Sequence, residues 1–257
     1  MFTPFEDLDE LLVDFTGSVR EILGGDFVGA YLQGSFALGA GDRYSDCDFI
    51  VATTVPPGGP TEAALSALHR EIFVRPGHWA MHLDGSYADV TSLRTGAGLG
   101  TKWLYCGRGA YYTVWDAHCN TLGTRWILRN HGITLAGPPI TDLVEPVAPQ
   151  TMRDGIRKTL LEFGAELSTW VRYDIAWMQR FTVAAYCRGL YTLRTGEITS
   201  KRGALDWARE HLDPKWRPLF TQVIEDRDLG WDPTDPPRPG SVDAMREFAS
   251  YVESCAR

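Results

Sequence analysis

The chain has 257 residues, 44% of them apolar and nine of them tryptophan, material for one large domain or two of ordinary size with packed cores. A formal net charge of −8 argues against a nucleic-acid-binding surface, which would show a basic patch or stripe, and suits a cationic small-molecule partner. Five scattered cysteines (Cys47, Cys106, Cys119, Cys187, Cys255) form no CxxC pair, no apolar run approaches a membrane span, and the opening MFTPFEDLDELL lacks the basic-then-apolar layout of a signal peptide. A cytoplasmic protein with reduced thiols and no membrane partner is expected.

From the N-terminus, Leu8, Leu11, Leu12, Phe15, Val19 and Leu23 recur at helical spacing until Gly24-Gly25 stops them. Phe27 to Leu32 has strand character and ends abruptly at Gly34-Ser35. A short apolar turn, Phe36 to Leu38, and a Gly/Asp loop lead to a second apolar run, Phe49 to Val51, opened by Ser45-Asp46-Cys47-Asp48. Side chains alternate along a strand, so Asp46 and Asp48 share one face while Cys47, Phe49 and Val51 share the other. Two carboxylates on one face need a partner, because unpaired buried charge is costly. A hard divalent cation is the simplest one: carboxylate oxygens suit Mg²⁺, which also bridges to phosphate oxygens. Gly34 permits a sharp turn and close approach of a ligand, and the N–H groups beyond it, with the Ser35 hydroxyl beside them, form an anion cradle.

A Gly-Ser cradle between strands, followed by Asp-x-Asp eleven positions after Ser35, resembles the signature of the nucleotidyltransferase superfamily. Thr61 to Phe73 reads as a helix and Trp79 to Tyr87 as a third strand. Strand, helix, strand in short order implies an α/β sheet covered by helices. The family's chemistry needs a third carboxylate from the strand beside Asp-x-Asp. Asp84 and Asp89 both qualify by position, and an unbroken strand can aim only one of them at the metal face. HLDGSY resembles the acid-Gly-Ser-Tyr segment of one branch of antibiotic adenylyltransferases, which implies Asp84, one methylene shorter than the Glu usual there. Trp115, Asp116, His118 and Asn120 cluster in a mixed aromatic segment, a candidate loop over the site. ILRNHGITLAGPP resembles the same branch and closes the first domain, and the Pro content from Gly137 to Pro149 marks a boundary.

The second half is helical: Met152 to Val171, Trp177 to Thr195, Arg202 to Leu212, Trp216 to Glu225 and Val242 to Cys255, five helices joined by short loops. Within it, CRGLYTLRTGEITSKRGALDW resembles the C-terminal domain of the aminoglycoside 3″/9-O-adenylyltransferases that act on streptomycin and spectinomycin, with Arg188, Tyr191, Thr195, Gly196, Ile198, Lys201, Ala204 and Trp207 in ungapped register.

The resemblance implies an α+β fold, a nucleotidyltransferase core of mixed β-sheet with flanking helices over residues 1–149, followed by an α-helical bundle domain over 150–257 that completes the ATP and acceptor site across a cleft. It implies ATP as co-substrate with Mg²⁺, two ions, held by Asp46, Asp48 and Asp84. Gly34, Ser35 and Ser45 would contact phosphates, and Arg188 and Lys201 would grip the triphosphate. Asp84 would be the base, with Asp46 and Asp48 beside it in catalysis. The acceptor is an aminoglycoside, met by Asp174, Trp170 and Trp115, although Met178 stands where the family carries a second acid. Transfer to another antibiotic or to a protein side chain, and a non-catalytic nucleotide-binding or antitoxin-like module, are the alternatives. A monomer without nucleic-acid partners is expected.

Overall fold

The computed structural model describes residues 1–107 and 113–257, with the side chains of 163–170 outside the description. The chain forms two compact units, Met1–Val147 and Ala148–Arg257.

The first unit opens with α1 (Glu6–Leu23), whose buried stripe Leu8, Leu12, Phe15, Val19 and Leu23 follows the helical period. Acidic Glu6, Asp7 and Asp9 in its first turn and Arg20 in its last complement the helix dipole. There follow β1 (Phe27–Leu32), the one-turn α2 (Gly34–Ala37), β2 (Cys47–Thr53), α3 (Pro60–Phe73), β3 (Leu83–Asp89), α4 (Val90–Arg94), β4 (Trp103–Cys106), β5 (Val114–Asp116), α5 (Leu122–His131) and β6 (Ile133–Ala136). The strands form one mixed sheet in the order β5-β4-β3-β2-β1-β6. β2 and β3 are parallel, joined across α3, and the other neighbouring pairs are antiparallel.

Both faces of the sheet are covered, and strand alternation decides what each face carries. Cys47, Phe49 and Val51 pack with Leu8, Leu12 and Phe15 of α1 and Leu65 and Ile72 of α3. Ile50, Ala52 and Ala88 pack on the other face with Leu93, Trp103 and Leu128. Each large apolar side chain so buried contributes roughly 1.5–3 kcal/mol.

Two readings need correction. The third strand begins at Leu83 and runs to Asp89, whereas Trp79–Met81 is a 3₁₀ turn. Trp79 lies there in a ring cluster, its centroid 5.1 Å from Phe5 and 5.7 Å from Phe36, and a strand would break that packing. The closing segment also contributes β6, an edge strand on β1, fastened where the Tyr31 hydroxyl donates to the carbonyl of Pro138 at 2.8 Å.

The second unit comprises α6 (Pro149–Trp170), α7 (Ala176–Thr195), α8 (Lys201–His211), α9 (Arg217–Glu225) and α10 (Ser241–Ala256). Their apolar stripes meet in a core that includes Leu160, Val183, Tyr186, Leu190, Leu205, Phe220, Phe248 and Val252. Among the described residues no helix is long and apolar enough to cross a membrane.

Candidate active site

The site is built at the ends of β1, β2 and β3 in the first unit. Leu32 ends β1, and the backbone N–H of Gln33 donates to the carbonyl of Asp48 at 2.9 Å, drawing the exit of β1 against the entry of β2. Gly34 then takes a φ of +64° and starts α2. A methyl group there would lie 1.9 Å from Oδ2 of Asp48, so only glycine lets the turn sit on that carboxylate. Phe36, buried between Phe5 and Trp79, anchors the turn from below.

In the parallel ladder Asp48 lies directly opposite Asp84, and Thr53 opposite Asp89. Aligned residues of neighbouring strands share a face about 4.8 Å apart, so Asp48 and Asp84 project side by side, on the face of Ile50 and Ala88. Asp89 serves elsewhere. It N-caps α4, accepting from the backbone N–H of Thr91 at 3.1 Å and of Ser92 at 3.0 Å. Asp46 immediately precedes β2, with Oδ1 3.5 Å from Nδ1 of His82, whose ring stacks on His78 at 4.3 Å. Between the two acids, Cys47 is fully buried, and burial followed by the charges of Asp48 and Asp46 raises its thiol well above the usual range.

Several neighbours of Asp84 carry no motif and escape a sequence reading. Tyr105, paired with Ser86 across β3 and β4, donates its hydroxyl to Oδ2 of Asp84 at 3.1 Å. Burial, then the Asp84 charge, pushes that phenol above its usual range. The His118 ring stands edge-on to Tyr105 at 4.1 Å and is held by Asp116, whose Oδ1 accepts from Nδ1 and from the His118 backbone N–H, both at 2.7 Å. Those bonds, the backbone one foremost, lower the Asp116 pKa. Cys119 follows with Sγ 3.3 Å from Nε2 of His118, and burial pushes its thiol up to about 12. The only signal for this group was the Trp115-to-Asn120 cluster. Asn120 itself is structural, buried and donating to the carbonyls of Gly98 at 2.7 Å and Thr101 at 2.8 Å.

Trp115 does not join the acids. It pairs with Leu104, whose side chain belongs to the α1/α3 face, and its indole donates to Glu62 of α3 at 3.2 Å. Alternation along β5 thus places it on the sheet face opposite Asp48 and Asp84. Ser45 is turned inward: its hydroxyl donates to Oδ1 of Asp42 at 3.0 Å and accepts from the Asp42 backbone N–H at 3.1 Å, closing the loop before Asp46.

In the second unit Arg188 lies in α7 and Lys201 is the first residue of α8, its ammonium 5.9 Å from the Trp231 ring. The turn between the helices is shaped by Gly196, whose φ is +77° and whose Cβ would meet that of Pro149 at 2.7 Å. Arg153 donates to the carbonyl of Thr195 at 2.9 Å, and Ser200 caps α8. Asp174 is exposed and gripped bidentately by Arg172, at 2.7 and 3.2 Å. The side chain of Trp170 lies outside the described residues.

Asp48 and Asp84, aligned on one face, offer oxygen donors alone, which suits a hard cation, and Gly34 puts no side chain of its own beside Asp48.

Comparison with known proteins gives three findings. Residues 142–252 match the family described as aminoglycoside adenylyltransferase, C-terminal domain. An aminoglycoside (3″)(9) adenylyltransferase of Escherichia coli is 28% identical over 125 residues, and one of Klebsiella pneumoniae is 30% identical over 125 residues. Each match covers 49% of this chain and 44% of the relative, so the chain matches less than half the length of these relatives. The crystal structure of a spectinomycin adenyltransferase, AAD(9), of Enterococcus faecialis with ATP and spectinomycin superposes with a TM-score of 0.72 at 14% identity, covering 97% of this chain and 98% of that one. The expected fold class, a mixed sheet with flanking helices followed by a helical region, is the one observed.

Proposed function

We propose, taking as premise that the chain is a relative of the aminoglycoside adenylyltransferases with their C-terminal domain in its second half, that it transfers AMP from ATP to a hydroxyl of an aminocyclitol or aminoglycoside antibiotic. The observation that carries this reading is the pairing of Asp48 with Asp84 on one sheet face, beneath a glycine turn that admits no side chain.

An acceptor hydroxyl is almost un-ionised at neutral pH, so a carboxylate within about 3 Å must take its proton as it attacks. Asp84 is assigned that role, with Tyr105 holding its orientation through the 3.1 Å hydrogen bond. The acceptor oxygen forms its bond to the α-phosphorus, the bond to the β-phosphate bridging oxygen breaks in line, and the electron pair leaves with pyrophosphate. Asp46, Asp48 and Asp84 would hold Mg²⁺, which would supply positive charge against the phosphates. The turn at Gly34 and Ser35 aims first-turn N–H groups, unsatisfied within a helix, at the phosphates. Ser45, held by its bonds to Asp42, is assigned as a second phosphate contact.

Arg188 and Lys201 are assigned to the triphosphate on the strength of the motif they share with the family. Arg supplies a planar fork and Lys a compact charge against about four negative charges. Asp174 and Trp170 are assigned to the cationic acceptor, with Asp174 exchanging Arg172 for an antibiotic ammonium. The related enzymes are named for the 3″ and 9 positions, and the structural relative was crystallised with spectinomycin. Streptomycin and spectinomycin are accordingly the favoured acceptors, and the modified antibiotic, carrying new bulk and charge, loses the hydroxyl as a donor.

Labelled ATP incubated with Mg²⁺ and streptomycin, spectinomycin or kanamycin tests the proposal. Label is expected on streptomycin or spectinomycin with release of pyrophosphate. ATP binding without label on any of the three would refute the assigned acceptor class, and absence of ATP binding would refute the nucleotide site.

A further inference from the structure

We propose that Asp84, His118 and Cys119 form a second, softer metal site on the acid face of the sheet, one that takes Zn²⁺-like ions rather than Mg²⁺. Their ligand atoms all lie within 4.8 Å of one another, the one such set of three among the described residues. Two of the donors already stand at ligand spacing. Zn–N of about 2.0 Å and Zn–S of about 2.3 Å at a tetrahedral angle put the nitrogen and sulfur about 3.5 Å apart, and Nε2 of His118 is 3.3 Å from Sγ of Cys119.

The surroundings complete the site. With Nδ1 of His118 donating to Asp116 at 2.7 Å, the lone pair of the neutral ring is on Nε2, turned toward the sulfur. This is the carboxylate–histidine arrangement that fixes tautomer and ring angle at zinc centres. Tyr105 steadies both sides, through its edge-on contact with His118 at 4.1 Å and its bond to Asp84 at 3.1 Å. One thiolate, one imidazole and one carboxylate make a borderline-soft set, to which zinc binds and which magnesium, demanding oxygen, refuses. Three protein ligands leave a fourth position for water. Binding displaces the Cys119 proton to solvent. No CxxC or HxxxH spacing announces the site, because β3 supplies one ligand and the segment after β5 the other two.

The site shares Asp84 with the proposed reaction. An ion held there occupies the carboxylate assigned to the acceptor proton, so zinc would inhibit transfer at saturating Mg²⁺. That consequence rests on the reading of Asp84 above, whereas the metal site itself does not.

The test is a Co²⁺ titration of the full chain in excess Mg²⁺, without nucleotide. A near-ultraviolet thiolate-to-cobalt band should grow to one equivalent and vanish on adding Zn²⁺. Cys119→Ser should lack the band while its circular dichroism matches wild type, with Cys119→Ala as a second variant should the first misfold. Asp116→Asn should weaken cobalt binding about 10–100-fold. No band in the wild type, or a band that survives loss of Cys119 with the other four cysteines present, would overturn the site. Cobalt binding as expected, with turnover indifferent to zinc, would leave the site standing and sink the assignment of Asp84 as the base.

Discussion

Replacing Gly34 with Ala separates the backbone demand at the turn from its consequence for the acids. Gly34 has a φ of +64°, and an L-residue in a left-handed conformation costs roughly 1–2 kcal/mol. The added methyl would also lie 1.9 Å from Oδ2 and 2.6 Å from Cγ of Asp48. Ordinary C···O contact begins near ~3.3 Å, so the carboxylate must retreat by more than about 1 Å. A misplacement of that size costs on the order of 10²-fold in rate, about 2.7 kcal/mol of transition-state stabilisation. Gly39 supplies the control, with a φ of +68° and nothing within 4 Å of its ideal Cβ. Urea unfolding and pyrophosphate release should be measured on both variants. Gly39→Ala should lose about 1–2 kcal/mol of stability and Gly34→Ala more, because of the clash, while only Gly34→Ala should lose ~10²-fold in turnover. Full turnover by Gly34→Ala, or an equal loss in Gly39→Ala, would refute the claim that this glycine exists to admit Asp48.

Asp89→Ala, which removes the cap of α4, should cost about 1 kcal/mol of stability by urea titration and leave turnover unchanged. Tyr105→Phe removes a hydrogen bond to a charged group worth about 1.5 kcal/mol; kcat should fall roughly tenfold with the KM for ATP unmoved, and a change confined to KM would count against its positioning role. His69 is buried, 2.8 Å from the Tyr87 hydroxyl and stacked on Phe49, and burial lowers its pKa from 6.5 to about 4. The unfolded chain therefore takes up this proton first as pH falls. The His69 contribution, up to about 3 kcal/mol, is present above pH 6.5 and lost between there and about pH 4. Urea midpoints at pH 7 and 4.5 should converge more in His69→Phe than in wild type, and an unchanged gap would contradict the assignment.

Local chemistry was the part of the fold legible in the sequence. The β1 strand, the glycine turn, the place of Asp48 at the entry of the second strand and the five C-terminal helices all follow from alternation, helical period and chain breakers, which act over a few residues. Strand pairing was not legible. Asp84 and Asp89 are separated by register against β2, where Asp48 meets the first and Thr53 the second. The face of Trp115 was not legible either, because it depends on pairing with Leu104, and three residues of β5 carry too little alternation to show it. Tyr105, His118 and Cys119 reach Asp84 through the same register, from a segment with no periodicity of its own. The Arg172 partner of Asp174 stands two positions before it, yet nothing in the spacing indicated that the two would pair.

Asp84→Asn provides the most direct test, in a single-turnover reaction with labelled ATP, Mg²⁺ and whichever of streptomycin or spectinomycin the wild type accepts. The substitution keeps the shape and removes the base. Loss of a positioned general base costs about 10²–10⁴-fold, so transfer should slow by that factor while ATP binding, read by direct titration, persists. Transfer at the wild-type rate by Asp84→Asn would contradict the account at its centre.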